Sequence, residues 1–154
     1  MKKLFLALVM CISALSASAQ IDLKSVDVKA NLRGDFGIGA GITMGLFDHI
    51  DFAPNVNYYF SSGANLLSID ADFHYNIDLG YDLNLYPMAG LVIAHWGASG
   101  PVSGTTKLGL NLGCGLDYDL NRNWSLFAEA KYQFLFSAGG ADDTFFSLGA
   151  KYRF

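Results

Sequence analysis

From residue 35 to the end, apolar and polar side chains alternate with period two, the period of a β-strand. One parity reads Phe36, Ile38, Ala40, Ile42, Met44, Leu46, and the next segment reads Ile50, Phe52, Pro54, Val56, Tyr58, Phe60. The pattern predicts strands at 35–47, 50–60, 66–78, 81–96, 107–119, 124–136 and 144–154. The stretch "VDVKANL" at 26–32 alternates too, with Val26, Val28, Ala30 and Leu32 on one side, which makes eight. Turn-forming clusters separate them: "RGD" at 33–35, "FDH" at 47–49, "SSGAN" at 61–65, "DLG" at 78–80, "GASGPVSGTT" at 97–106, "NRN" at 121–123 and "SAGGADD" at 137–143. No segment has the helical period.

From residue 35 on, the apolar parity carries no charge in any strand. The other parity holds the acids Asp51, Asp70, Asp72, Asp82, Asp117 and Glu129, the bases Lys107, Lys131, Lys151 and Arg153, and His74. A soluble barrel would turn the apolar face inward and a membrane barrel would turn it outward. Three features select the membrane barrel. Strands of about eleven residues, rising about 3.3 Å each and tilted about 40°, span about 28 Å, close to the bilayer core. Aromatics gather at strand ends: Tyr75, Tyr81, Tyr118, Trp124, Tyr152 and Phe154 form a girdle at one rim, and Tyr58, Phe60, Phe136 and Phe146 mark the other. Glycines crowd the polar parity of two strands, Gly37, Gly39, Gly41 and Gly45, then Gly109, Gly113 and Gly115. On a solvated surface they would only weaken the strand, whereas inside a narrow barrel they make room for large neighbours. The predicted fold is all-β: an eight-stranded antiparallel up-and-down transmembrane β-barrel after a cleaved signal peptide.

Composition agrees. In 154 residues, charged side chains make up 16% and aromatic ones 14%, too few charges for an ordinary soluble surface. The first residues do not belong to the barrel. Lys2 and Lys3 precede an apolar run from Leu4 to Leu15, and Ala17 and Ala19 supply a small-residue cleavage site before Gln20. Residues 1–19 are therefore read as a signal peptide, against an uncleaved helical anchor, and 20–154 as the barrel domain. Cys11 follows Met10 inside the apolar run, which does not suit a lipoprotein site. The remaining chain has a formal charge of −6, with 8 basic against 14 acidic side chains, so no nucleic-acid partner is expected. Cys114 is then the single cysteine, and no intramolecular disulfide can form.

Three stretches carry a family resemblance: "YDLNLYPMAGL" at 81–91, "GCGLDYDLNRNWSLFAEAKYQF" at 113–134 and the terminal "SLGAKYRF" at 147–154. On these, nearly the whole mature chain resembles the small eight-stranded outer-membrane barrels of the OmpA/OmpX type. It is most similar to the short "porin family" or outer-membrane β-barrel domain proteins of Bacteroidetes-like bacteria. The resemblance implies the outer membrane of a Gram-negative cell, reached through the periplasm. It implies a monomer whose partners are outer-membrane lipid and lipopolysaccharide. It also implies an assembly machinery that reads the terminal aromatic strand, here Tyr152 and Phe154. No domain is expected after Phe154, so a peptidoglycan grip of the two-domain OmpA kind is not.

The candidate chemistry lies in the lumen. An eight-stranded barrel is just wide enough to be filled by its own side chains. Tyr59, Tyr86, Met88, Trp96, Phe127 and Phe145 share the inward parity with the charges, and the two glycine-rich strands fall on opposite walls. The acids should pair with Lys107, Lys131, Lys151 and Arg153, with Lys151 and Arg153 facing Glu129 and the aspartates, because a buried charge needs a partner. The competing reading is a small-ligand pocket or narrow water path between the glycine walls. "DADFH" places Asp70, Asp72 and His74 on one face about 7 Å apart, too far to chelate one ion together, so a hydrogen-bond network is expected and no metal or cofactor.

Other features carry less. His95, with Ser99 nearby, is the candidate for a lipid A-modifying enzyme, but no motif of such an enzyme is present and none is expected. "RGD" could imitate an adhesion ligand at an external hairpin, or its Arg33 and Asp35 could simply flank a turn. Cys114 should face lipid as a small apolar residue. Pro54 and Pro87 should bring bulges or kinks. With both ends in the periplasm, the external connectors are 33–35, 61–65, 97–106 and 137–143, and the longest has no aromatic or arginine anchor. The expected role is structural or envelope-related, with a largely filled lumen and surface contacts. A narrow porin-like channel or small-ligand barrel is the alternative.

Overall fold

The computed structural model describes residues 22–60, 64–98, 104–136 and 142–154. The predicted signal peptide, Ser99 and much of three predicted connectors lie outside these residues. Nine strand segments follow in order: β1 Asp22–Arg33, β2 Asp35–Phe47, β3 Ile50–Phe60, β4 Ala64–Tyr75, β5 Ile77–Gly80, β6 Leu83–Ala98, β7 Thr105–Asp119, β8 Trp124–Leu135 and β9 Asp143–Arg153. Consecutive segments pair antiparallel except β4 with β5, and β1 pairs with β9 and β4 with β6. β4 and β5 are two pieces of one strand running along β6, so eight strands close on themselves and leave no edge.

The break between β4 and β5 has a local cause. Both pieces keep one register with β6, and the pairing lapses after His74↔Met88 and resumes at Ile77↔Leu85. Pro87 sits in the gap and has no N–H to donate. Pro54 leaves a similar gap between Gly41↔Asn55 and Met44↔Phe52. Neither proline shifts the register, so of the bulges or kinks expected there, no bulge forms at either. The irregularities lie elsewhere, between Leu23 and Ser25, between Gly45 and Phe47, and between Asp78 and Gly80.

Two further boundaries differ from expectation. β1 starts at Asp22, four residues before the predicted start, because its pairing with β2 extends to Gly45. The hairpin between β5 and β6 turns at Tyr81 and Asp82, not at 78–80. Both residues have positive φ, 57° and 61°, and Gly80 and Leu83 pair across them. This is a two-residue turn of the kind that usually carries Asn-Gly. With Tyr-Asp in its place, the turn has no signature in the sequence. Gly34, at φ 74°, makes the tight turn between Arg33 and Asp35.

The strand faces sort as the alternation predicts. Leu91, Ile93, Leu108, Leu110, Leu112, Leu116, Leu126 and Leu148 are exposed on the outside. Tyr59, Tyr86, Met88, Phe127 and Phe145 are buried inside. Cys114 is exposed on the outer face. At the end carrying both termini, Trp124 meets Tyr152 at 5.2 Å and Tyr152 meets Phe154 at 5.6 Å, with Tyr75 and Tyr118 exposed nearby. Tyr81 stands beyond them in its turn, 98% exposed. At the other rim Phe36 stacks on Phe60 at 6.3 Å, and Tyr58 meets Phe60 at 5.1 Å.

Candidate functional site

Glycine makes the filled lumen possible. Gly115 pairs with Tyr86 across β6 and β7, and Gly149 pairs with Phe127 across β8 and β9. A Cβ at either glycine would occupy space taken by the facing ring. The rings therefore lie across the lumen over bare backbone. Gly37 and Gly39 give the same room to Tyr59 and Asn57 on the opposite wall.

Side chains from the eight strands build three zones. The zone farthest from the termini is apolar. Tyr59, Leu66, Val92, Ala94, Leu135 and Phe145 form one buried cluster with Trp96 packed against it. Arg33 pairs with Asp143 and lies over the Phe145 ring, 4.8 Å from its centroid. Lys107 lies over Trp96 at 5.4 Å and forms no ion pair with a described acid, so the expectation that it serves the charge network is corrected. The indole face holds it instead.

The middle zone is ionic and amide-rich. Lys131 Nζ lies 2.5 Å from Asp72 Oδ2 and 3.2 Å from Asp70 Oδ2. Asn111 and Asn55 donate to Asp72, and Asn57 donates to Asp70. Gln133 donates to Asn111, Asn31 to Asn57, and Ser147 to Asn31. A void of about 10 Å³ remains beside Asp70, about the size that one water occupies. Lys29 Nζ lies 3.2 Å from Glu129 Oε2, and the Tyr86 hydroxyl donates to Glu129 Oε1 at 3.1 Å. Glu129 thus takes its cation from β1, not from Lys151 or Arg153 as expected.

The third zone, at the termini, is only partly filled. Lys151 lies between the Tyr86 and Phe127 rings, 5.1 and 5.2 Å from their centroids, and binds Asp117 at 2.7 Å. Arg153 binds Asp119 at 2.6 Å and approaches Asp117 at 3.7 Å. His74 stacks on Tyr86 at 4.8 Å, and Lys24 binds Asp51 at 2.5 Å. Past this layer a cavity of about 390 Å³ opens at the barrel end. Asp82 is not part of the lumen. It is exposed in the β5–β6 turn, so its placement in the charge network is corrected.

The strands therefore gather the other ten candidate lumen residues inside, in separate clusters. Asp70 and Asp72 share Lys131, while His74, on the same face, turns to Tyr86. No three His, Cys, Asp or Glu side chains converge for a metal ion among the described residues. The alternation had already placed Asn55, Asn57, Asn111 and Gln133 on the inward parity, but their amides were passed over. Lys24 and Lys29 were missed because the first strand is the most polar. Of the "RGD" residues, Arg33 is engaged inward with Asp143 and Phe145. His95 is exposed on the outer face, with Nδ1 2.8 Å from Thr106 Oγ1.

The closed strand order, the apolar exterior and the charged interior together describe a membrane-spanning barrel. A family model for the outer membrane protein beta-barrel domain matches residues 4–154. The chain belongs to that family. Solved outer-membrane barrels share its fold. The N-terminal β-barrel domain of Pseudomonas aeruginosa OprF is 24% identical with a TM-score of 0.63, covering 87% of this chain and 99% of that one. Neisserial surface protein A is 20% identical with a TM-score of 0.67, covering 85% and 96%. A major outer membrane protein from Thermus thermophilus is 17% identical with a TM-score of 0.68, covering 85% and 98%. No match was found among curated proteins. The outer-membrane β-barrel domain thus accounts for the architecture.

Proposed function

We propose that this small outer-membrane barrel is a closed structural protein of the cell envelope, without an open pore and without enzymatic activity. The observation that carries the reading is the apolar plug from Tyr59 to Phe145, stacked on the Lys131–Asp70–Asp72 layer. An apolar constriction excludes water, and in the ionic layer behind it Lys131 and three asparagine amides, all from the barrel wall, hold the two carboxylates. The connectors at the end opposite the termini are the segments for contact with other surfaces. In this reading the barrel is a monomer of a Gram-negative outer membrane, set among lipid and lipopolysaccharide. Tyr152 and Phe154 serve as the strand signal for the assembly machinery, so deleting Phe154 should lower the folded fraction recovered from outer membranes. Planar-bilayer recording on purified protein tests the closed lumen. No stable single-channel steps are expected, and large, long-lived steps would replace the reading with a porin-like channel. The cavity at the termini favours a second reading, a small-ligand barrel.

A further inference from the structure

The lining of the cavity at the termini includes polar groups that have no side-chain partner among the described residues. At about 390 Å³ it falls within the range of small-molecule pockets. Its inner wall includes His74, Ser25 and Thr43, which are 7%, 2% and 6% exposed. None makes a side-chain hydrogen bond to a described residue, and their polar atoms are not among the sealed unpartnered atoms of the interior. They face the cavity. Buried hydroxyls and imidazoles are normally satisfied, so their partners must come from what fills it.

The rim adds a direction. Lys24, Asp51, Lys151 and Asp117 are spent on one another. Three charges at the mouth form no ion pair with a described residue: Asp22 at the start of β1, Asp48 between β2 and β3, and Arg122 between β7 and β8. Around the closed sheet, the β7–β8 turn lies four strands from the β2–β3 turn, so Arg122 stands across the mouth from Asp48, with Asp22 at the start of β1, the strand beside β2. A simple anion or cation would meet one favourable and one unfavourable wall. A molecule carrying both charges, separated, meets two favourable ones.

We propose that the cavity binds a small zwitterion of amino-acid or dipeptide size, its carboxylate at Arg122 and its ammonium at Asp22 and Asp48, with its polar middle against His74, Ser25 and Thr43. Binding at this end needs no passage through the lumen, so it stands or falls separately from the closed-pore reading.

The test is a titration of the ¹⁵N-labelled barrel, folded in detergent micelles, with L-alanyl-L-alanine, followed by NMR. Saturable shifts are expected at Thr43, His74 and Arg122. Arg122→Gln and Asp48→Asn should each weaken binding by about tenfold, and lose that difference at high salt. Both residues lie in exposed turns, so folding, checked by heat-modifiable mobility, should be unchanged. Asp82→Asn, at an exposed turn residue that does not line the cavity, should bind as wild type. The dipeptide blocked by N-acetyl and C-amide groups should not bind at matched concentration. Three results would each overturn the proposal: no saturable shift with the free dipeptide, equal binding of the blocked one, or unchanged affinity in both rim variants.

Discussion

Replacing Lys131 with methionine probes whether this lumen behaves as a packed interior or as a wet one. The Lys131 side chain is 7% exposed, and its ammonium is held by Asp72 and Asp70, whose side chains are 1% and 5% exposed. Methionine keeps an unbranched stem of similar length, so little is lost in packing. What is lost is the only cation bonded to either carboxylate among the described residues. Removing one partner of a buried ion pair costs about 3–5 kcal/mol, chiefly for the uncompensated charge left behind. Asn55, Asn57 and Asn111 still donate to the aspartates, which places the expectation near the lower end, about 3 kcal/mol. That is a fall of about a hundredfold in the folding equilibrium. In a water-filled lumen the same pair would act like a surface pair and cost under about 1 kcal/mol. Urea unfolding in lipid vesicles, followed by Trp96 and Trp124 fluorescence and by heat-modifiable mobility, measures the difference. Should Lys131→Met fail to fold, the double variant Lys131→Met/Asp72→Asn, which removes one of the stranded charges, should recover folded barrel. A single variant within about 1 kcal/mol of wild type would refute the packed lumen.

Other substitutions test the zones separately. Gly115→Ala drives a methyl into the buried Tyr86 ring and should cost about 2–3 kcal/mol in the same unfolding assay. Tyr86→Phe strips Glu129 of its hydroxyl donor while Lys29 remains, and a loss of about 1–2 kcal/mol is expected. Arg153→Gln breaks a half-exposed pair with Asp119 and should change stability by less than about 1 kcal/mol, so a larger loss would show that the termini end is drier than its exposure indicates. Tyr59→Ala/Phe145→Ala removes the aromatic heart of the plug, and bilayer recordings should then show small steps that the wild type lacks.

The separation of faces was legible in the sequence because a strand has one strict period. Ile38, Val56 and Leu110 could be assigned outward, and Tyr59, Tyr86 and Phe127 inward, with no knowledge of which strand lay beside which. Turn chemistry was less legible. The Gly34 hairpin announced itself, whereas Tyr81 and Asp82 took left-handed backbone conformations that neither residue type advertises, and Asp82 left the lumen with them. The prolines were recognised as ladder defects, but their effect was a lapse in pairing and a divided strand, since the closed wall holds the register on both sides of the missing donor.

By itself the sequence determined the fold class, the outward face and the set of side chains that must share a narrow interior, because all three follow from alternation and strand length. Only the tertiary structure decided who meets whom there. Pairing across a barrel depends on the register of every strand at once, and on closure, which brings β1 against β9. Closure set Lys29 on Glu129, left Lys151 and Arg153 to Asp117, drew Lys107 onto Trp96, and collected the apolar inward residues at one end and a polar cavity at the other.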